Sequence, residues 1–164
     1  MENQKYKVTE LDRRFMAMAC RLAEENVERG GGPFGAVIVR DGRVVAAGVN
    51  TVTIDNDPTA HAEVNAIRRA CQDGQTYSLA GCSIYSSCEP CPMCLSAIYW
   101  SGISRLYYGN TQHDAADIDF DDSFIYRQLA LPAARRSIPA IRIEDAGNIR
   151  AFELWAAKPD KKAY

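Results

Sequence analysis

The sequence predicts an α/β protein, a three-layer α/β/α sandwich built on a five-stranded mixed sheet. Three observations carry that expectation. An apolar pattern with helical period opens the chain and stops at three consecutive glycines. Two β-rich runs follow, joined by a two-residue turn. From there strand and helix patterns alternate, an order that gives right-handed crossovers and parallel strand pairing. At 164 residues, 47% of them hydrophobic, one domain spanning 1–164 is expected, large enough to bury about 70% of its unfolded surface.

Taken in order, Leu11, Phe15, Met18, Ala19 and Leu22 recur at helical spacing between Thr9 and Arg29, and Gly30-Gly31-Gly32 ends the run. Cys20, inside it, reads as a small buried side chain. Val and Ile mark Gly35–Arg40 as a strand, Asp41-Gly42 is a type I′ hairpin signal, and Arg43–Asn50 returns antiparallel. After a loop over 51–56, Asp57 and Pro58 have the chemistry of an N-cap and a first-turn proline, for a helix to about Asp73 with Val64, Ile67 and Cys71 inside. His61, three residues before Val64, then faces inward. Cys82–Ser87 is the third strand, Pro92–Trp100 a helix and Ile103–Tyr108 the fourth strand. A helix starts near Asp122, Ile138–Ile143 reads as a fifth strand, and Ala146–Lys158 is a last helix carrying Ile149, Phe152 and Trp155. No internal repeat, low-complexity tract or linker interrupts the chain.

The chemistry concentrates in Ser87-Cys88-Glu89-Pro90-Cys91-Pro92-Met93-Cys94 and the distant His61-Ala62-Glu63. Pro92 suits the first position of a helix, which makes Cys91 its N-cap and brings Cys94 to the same side one turn later. Thiols at a helix N-terminus favour the thiolate, the form that binds metal. His61 supplies the imidazole, because the other histidine, His113, lacks an acid at the same offset. Two cysteines and one histidine leave a fourth position open on zinc, the count of a catalytic site, whereas structural zinc takes four protein ligands. Glu63, about 200° from His61 on a helix, is better placed to touch water at that position than the metal. It suits general acid/base work there. Cys88 keeps an alternative open: as a further ligand it closes the site as Cys₃His and leaves Glu63 idle.

The pair His61-x-Glu63 and Pro90-Cys91-x-x-Cys94 resembles the zinc nucleobase deaminases of the cytidine-deaminase fold. Within that superfamily the chain is most similar to bacterial guanine deaminases, on four stretches: Gly31-Gly32-Pro33-Phe34-Gly35-Ala36-Val37, Asn56 to Glu63, Phe120 to Tyr126, and the terminal Tyr164. The resemblance implies zinc held by His61, Cys91 and Cys94, with Glu63 as acid/base and Cys88 not a ligand. It implies hydrolytic deamination of guanine to xanthine. It moves Asn50 from a turn residue to a purine hydrogen bond, Phe34 from a core aromatic to a pocket wall, and Asp122 from a helix cap to a catalytic acid near the purine. Tyr164, by composition part of a frayed tail, becomes a pocket cap, of its own chain or of a partner in a homodimer. The segment 145–164 is then a helix and a lid.

A formal net charge of −2 with no Lys/Arg cluster argues against a nucleic-acid partner and fits a small uncharged substrate. Met1 to Lys7 carries no apolar secretory core, and no apolar run reaches the ~18 residues of a membrane span, so a cytoplasmic protein is expected. Three of the six cysteines fall within seven residues, which favours metal and free thiols over disulfides. Two other readings share the motif: deamination of cytosine, guanosine or tRNA adenosine, and a non-catalytic zinc-stabilised binding protein. Ligation by Cys88 is the observation that favours the second.

Overall fold

The computed structural model of the chain describes residues 7–145 and 147–163. Helix α1 (Glu10–Glu28) is started by Thr9, whose hydroxyl accepts from the Asp12 N–H while the Asp12 carboxylate accepts from the Thr9 N–H, a capping box. Strands β1 (Gly32–Arg40) and β2 (Arg43–Asn50) form the expected hairpin. Asp41 and Gly42 between them both have positive φ, as a type I′ turn requires. A short α2 (Val52–Asp55) leads to α3 (Ala62–Asp73), then β3 (Ser83–Cys88), α4 (Pro92–Trp100), β4 (Arg105–Asn110) and α5 (Gln112–Ala116).

The sheet has four strands in the order β2-β1-β3-β4. β1 is antiparallel to both neighbours and β3 is parallel to β4. The α3 crossover therefore steps over β1 and returns β3 in the direction of β2. Successive residues of β1 divide between two cores, as strand alternation demands. Ala36 and Ile38 pack with Ala62, Ala66, Ala70 and Ile98 of α3 and α4, while Val37 and Val39 pack with Phe15 and Ala19 of α1. Helices on both faces give the predicted three layers. Two glycines set how close the helices come. A Cβ on Gly48 would lie 2.3 Å from the Ala62 carbonyl oxygen, and one on Gly35 would lie 2.4 Å from that of Ala19.

The expected inner face of α3 is corrected. Its fully buried row is Ala62, Ala66 and Ala70, with Ile67 and Cys71 at the margin and Val64 outside the cluster. Alanines win the row because Gly48 lets the helix backbone approach the sheet too closely for a larger side chain.

The expected fifth strand is not formed: among the described residues the sheet ends at four. Ile138, Ile141 and Ile143 are 80%, 83% and 77% exposed. Pro139 within that run has no N–H to donate to a ladder, and β-branched composition alone does not make a strand without an edge to pair with.

The chain divides into two compact units, Met1–Ser123 and Phe124–Tyr164. Helix α6 (Ser123–Ala130) leads into the second, which has a 3₁₀ turn at Ala133–Arg135 and a last helix α7 (Arg150–Ala157). That helix begins later than expected, because the Asp145 carboxylate accepts from the Gly147 N–H at 2.7 Å and the chain turns through 147–149 first. Ala146 lies outside the described residues.

Candidate active site

Helix α4 begins as predicted, with Cys91 as an extended N-cap and Pro92 in its first turn. Cys94 follows one turn later, fully buried. Helix α3 does not begin where the sequence suggests. The Asp57 carboxylate accepts from the Thr59 N–H at 2.8 Å and the Thr59 hydroxyl at 2.7 Å, which spends the expected cap on a local Asx turn. The first helical residue is Ala62, and His61 is the N-cap, with φ −72° and ψ 157°. His61 reaches the site from the mouth of its helix, not from an inward helical face. Two N-caps from two helices, His61 and Cys91, thus meet.

His61 Nδ1 lies 3.6 Å from Cys91 Sγ and 3.4 Å from Cys94 Sγ. The three donor atoms all fall within 4.8 Å of one another. With Zn–S near ~2.3 Å and Zn–N near ~2.05 Å, the N···S edge of a tetrahedral site is about 3.5 Å. The donor set and its spacing fit zinc. Neither Glu63 nor Cys88 belongs to this cluster among the described residues.

Glu63 stands in the first turn of α3, 6% exposed, where its Oε1 accepts from the Ser86 hydroxyl at 2.9 Å. Burial pushes its carboxyl up, opposed by hydrogen bonds from its own backbone N–H, Ser86 and the Cys94 thiol. The two cluster thiols are coupled: a hydrogen bond from Cys94 holds Cys91 down, and the same bond with burial pushes Cys94 up. The hydrogen bond to Cys91 raises His61. Cys88 takes a different course. Its thiol donates to the Thr111 carbonyl at 3.5 Å, and burial followed by the Glu63 charge raises it to about 11. Cys88 lies outside the three-donor cluster and its thiol is turned to the Thr111 carbonyl, which counts against the closed Cys₃His alternative.

The remaining expected residues fall as follows. Asn50 is buried at the end of β2, its Oδ1 accepting from the Val52 N–H at 3.2 Å. Phe34 is half-buried in β1 and meets Phe120 edge-on, ring centroids 5.0 Å apart. Asp122 immediately precedes α6, and the neighbouring Asp121 carboxylate accepts from the Ser123 N–H at 2.9 Å. The Asp122 carboxyl is pushed up by burial and then by the Cys91 charge, which puts it within electrostatic reach of the cluster. Glu89, within the cysteine motif, accepts at its side chain from the Gln112 N–H at 3.1 Å. Tyr164 lies outside the described residues.

Sequence reasoning missed three residues that hold the site. Asn26 donates from Nδ2 to the carbonyls of Gly32 (2.8 Å) and Asn50 (2.7 Å) and so ties α1 to the corner bearing Phe34 and Asn50. Asn65 donates to the Val49 and Ala60 carbonyls and to the Thr51 hydroxyl, fixing the start of α3 on β2. Ser86 meets Glu63. The available signal was polarity at positions that the helix or strand pattern requires to be buried, since such groups need partners.

The model of the cytidine and deoxycytidylate deaminase zinc-binding region matches residues 9–110. The chain belongs to that family. The matched span contains His61, Glu63, Cys91 and Cys94, and His61, Cys91 and Cys94 could hold the zinc for which the family's region is named. The chain is 50% identical to a guanine deaminase of Bacillus subtilis over 151 residues, 92% of this chain and 97% of that one. It is 46% identical to a tRNA-specific adenosine deaminase of Agrobacterium fabrum over 95 residues, 58% of this chain and 62% of that one. The crystal structure of guanine deaminase from Bacillus subtilis superimposes with a TM-score of 0.91 at 47% identity, covering 96% of this chain and 99% of that chain. The adenosine deaminase likeness is partial, whereas the guanine deaminase likeness runs through both compact units.

Proposed function

We propose that this chain catalyses the zinc-dependent hydrolytic deamination of guanine to xanthine and ammonia. The observation that carries the proposal is a three-donor cluster at zinc spacing with a buried carboxylate beside it that is not one of the donors. The 50% identity to Bacillus subtilis guanine deaminase over 92% of the chain supports guanine as the base. His61, Cys91 and Cys94 hold the metal. When bound, zinc lowers the pKa of a coordinated water toward neutrality. Glu63 takes a proton from the attacking water and returns it to the departing 2-amino nitrogen, so the C2–N bond breaks as ammonia leaves.

Asn50 and Asp122 match the base by its edge pattern. The Asn50 Oδ1 is already taken by Val52, which leaves its NH₂ to donate to an acceptor such as O6. Asp122 accepts from the N1–H and 2-amino donors and assists the proton movements there. Phe34 forms an apolar wall against the base, backed by Phe120. A site whose polar groups fit one edge rejects an analogue by up to ~10⁴ because its own groups are left unpaired.

The test offers guanine, guanosine, adenine, cytosine and cytidine to the purified zinc-loaded protein and measures ammonia. Guanine is expected to be turned over far faster than the rest. Turnover of cytosine or cytidine with guanine untouched overturns the assignment.

Cytoplasmic residence and a homodimer belong to the same reading. No helix among the described residues is long and apolar enough to cross a membrane. Tyr99 and Trp100, 77% and 71% exposed at the end of α4, supply an apolar patch for a second copy. The tail's expected contribution to turnover is tested by deleting Lys161 to Tyr164. Guanine turnover should fall tenfold or more, on the order of a misplaced-substrate effect, with zinc content unchanged; full activity returns the tail to a solvated end.

A further inference from the structure

We propose that Ser86 is a positioning residue for Glu63, fixing which carboxylate oxygen faces the three-donor cluster. This rests on the reading that Glu63 moves the proton. Ile84 and Ser86 of β3 point to the same side of the sheet, and Ile84, with Cys82 just before the strand, is fully buried in the core under α3 and α4. Ser86 continues that row as a hydroxyl only 1% exposed, in register with Ala36 of β1 and Tyr108 of β4. An apolar side chain would fill the row without needing a partner. A buried hydroxyl needs one, and this one donates to Glu63 Oε1 at 2.9 Å.

The bond has a specific consequence because of where Glu63 is rooted. The backbone of α3 is fixed at its start, by the Asn65 amide and by the close approach of Gly48 to Ala62. The last torsion of a glutamate, by contrast, is broad and nearly two-fold. The Glu63 backbone N–H and the Cys94 thiol reach the carboxylate from the helix side, and the Ser86 hydroxyl reaches it from the sheet. The Ser86 hydroxyl is the contact from the sheet and claims Oε1, which favours Oε2 as the oxygen that takes and returns the proton. A shuttle has to use the same oxygen, at the same place, on both sides of the reaction. A small misplacement of a reacting group can cost on the order of 10²-fold. Ser86 is not one of the three donors, and its hydroxyl acts through Glu63.

The test compares two pairs that differ in the hydroxyl: parent with Ser86→Ala, and Ser86→Thr with Ser86→Val. The second pair shares a shape and carries the comparison if Ser86→Ala does not fold. Guanine kcat, KM, zinc per chain and the thermal midpoint of the metal-free protein are read for each. The expected result is a kcat lower by roughly tenfold or more in the member lacking the hydroxyl, with KM within about twofold and zinc unchanged, since neither ground-state binding nor the donor set involves Ser86. In a Glu63→Gln background Ser86→Ala should lower kcat no further, because residues that act as a unit are non-additive. In the metal-free protein Ser86→Ala should lower the midpoint when Glu63 is present and not in a Glu63→Ala background. A Ser86→Ala enzyme within twofold of parent kcat, beside an inactive Glu63→Gln, overturns the positioning role alone. A Glu63→Gln enzyme at the parent rate overturns the shuttle and the positioning role together.

Discussion

The two faces of the central sheet are built from alternate residues of the same strands and do different work. Under α1 the face is aromatic. Phe15, Tyr85 and Tyr107 pack there, with Tyr85 stacked on Tyr107 at 4.7 Å and its hydroxyl donating to Asp12 at 2.6 Å. Under α3 and α4 the face is lined with small residues, Ala36, Ala46, Ala62, Ala66 and Ala70. Helix α1 also closes in at one glycine, Gly35, but large rings fill the volume along the rest of that face. Alanines, with Gly48 opposite Ala62, let a helix backbone lie almost on the sheet, which brings the first turn of α3 down to the loop after β3. His61 and Glu63 reach Cys91, Cys94 and Ser86 for that reason. One face carries stability and the other carries geometry.

Changes on the geometric face should be the more severe. The largest effect is expected from His61→Ala, Cys91→Ala or Cys94→Ala, each of which removes a zinc donor. Zinc by elemental analysis should fall from about one per chain toward none, and guanine turnover with it, because three ligands leave no redundancy. Cys88→Ser, a thiol bonded to Thr111, should keep its zinc. Zinc lost in that variant would erase the distinction between the donors and their neighbour.

Gly48→Ala comes next. The added methyl meets the Ala62 carbonyl at 2.3 Å and the Ala66 nitrogen at 2.5 Å, so α3 must move outward. The expected cost is about 1–3 kcal/mol of overpacking. A disproportionate loss of turnover should accompany it, because His61 and Glu63 ride on that helix. Denaturant unfolding and kcat measured together check this. Loss of stability with kcat intact would separate the helix position from the chemistry.

On the aromatic face Tyr85→Phe should cost about 1 kcal/mol, a single hydrogen bond, and leave kcat and zinc alone. Its pH dependence has a defined sign. Burial pushes the Asp12 carboxyl up, but hydrogen bonds from Thr9 and Tyr85 outweigh it and hold it below its ordinary value of 3.8. A group whose folded pKa is depressed stabilises in full above its unfolded pKa and loses that contribution as pH falls through the folded value. The stability gap between parent and Tyr85→Phe should therefore be constant near neutrality and narrow below about pH 4. A gap that widens in acid contradicts the assignment.

Much of this was legible in the sequence where a residue's local chemistry decides its structure. Asp41-Gly42 makes its turn, Pro92 starts its helix and Cys91 caps it because each depends on its own backbone. The three expected zinc donors were named from spacing, and their donor atoms lie within 4.8 Å of one another. Asp57 was misread because two local outcomes compete for one carboxylate, an N-cap and an Asx turn, and Thr59 settles it for the turn. Ile138–Ile143 has strand composition, yet pairing is not a local property. Ser86, Asn26 and Asn65 signalled at most that a partner was needed, not which one, for a related reason. Their partners lie 16 to 24 residues away for the longest of these bonds, and nothing near them in the chain announces a hydrogen bond across the fold.

The central claim is a division of labour, in which three side chains hold the metal and a fourth moves the proton. Glu63→Gln tests it most directly, with zinc per chain and ammonia release from guanine measured on the same preparation. The amide keeps the shape and accepts from Ser86 but cannot shuttle a proton, so zinc should stay near one per chain while turnover falls by ~10² to 10⁴-fold. Zinc lost together with activity would make Glu63 a ligand, and activity kept near the parent rate would make it a bystander; either result contradicts the account.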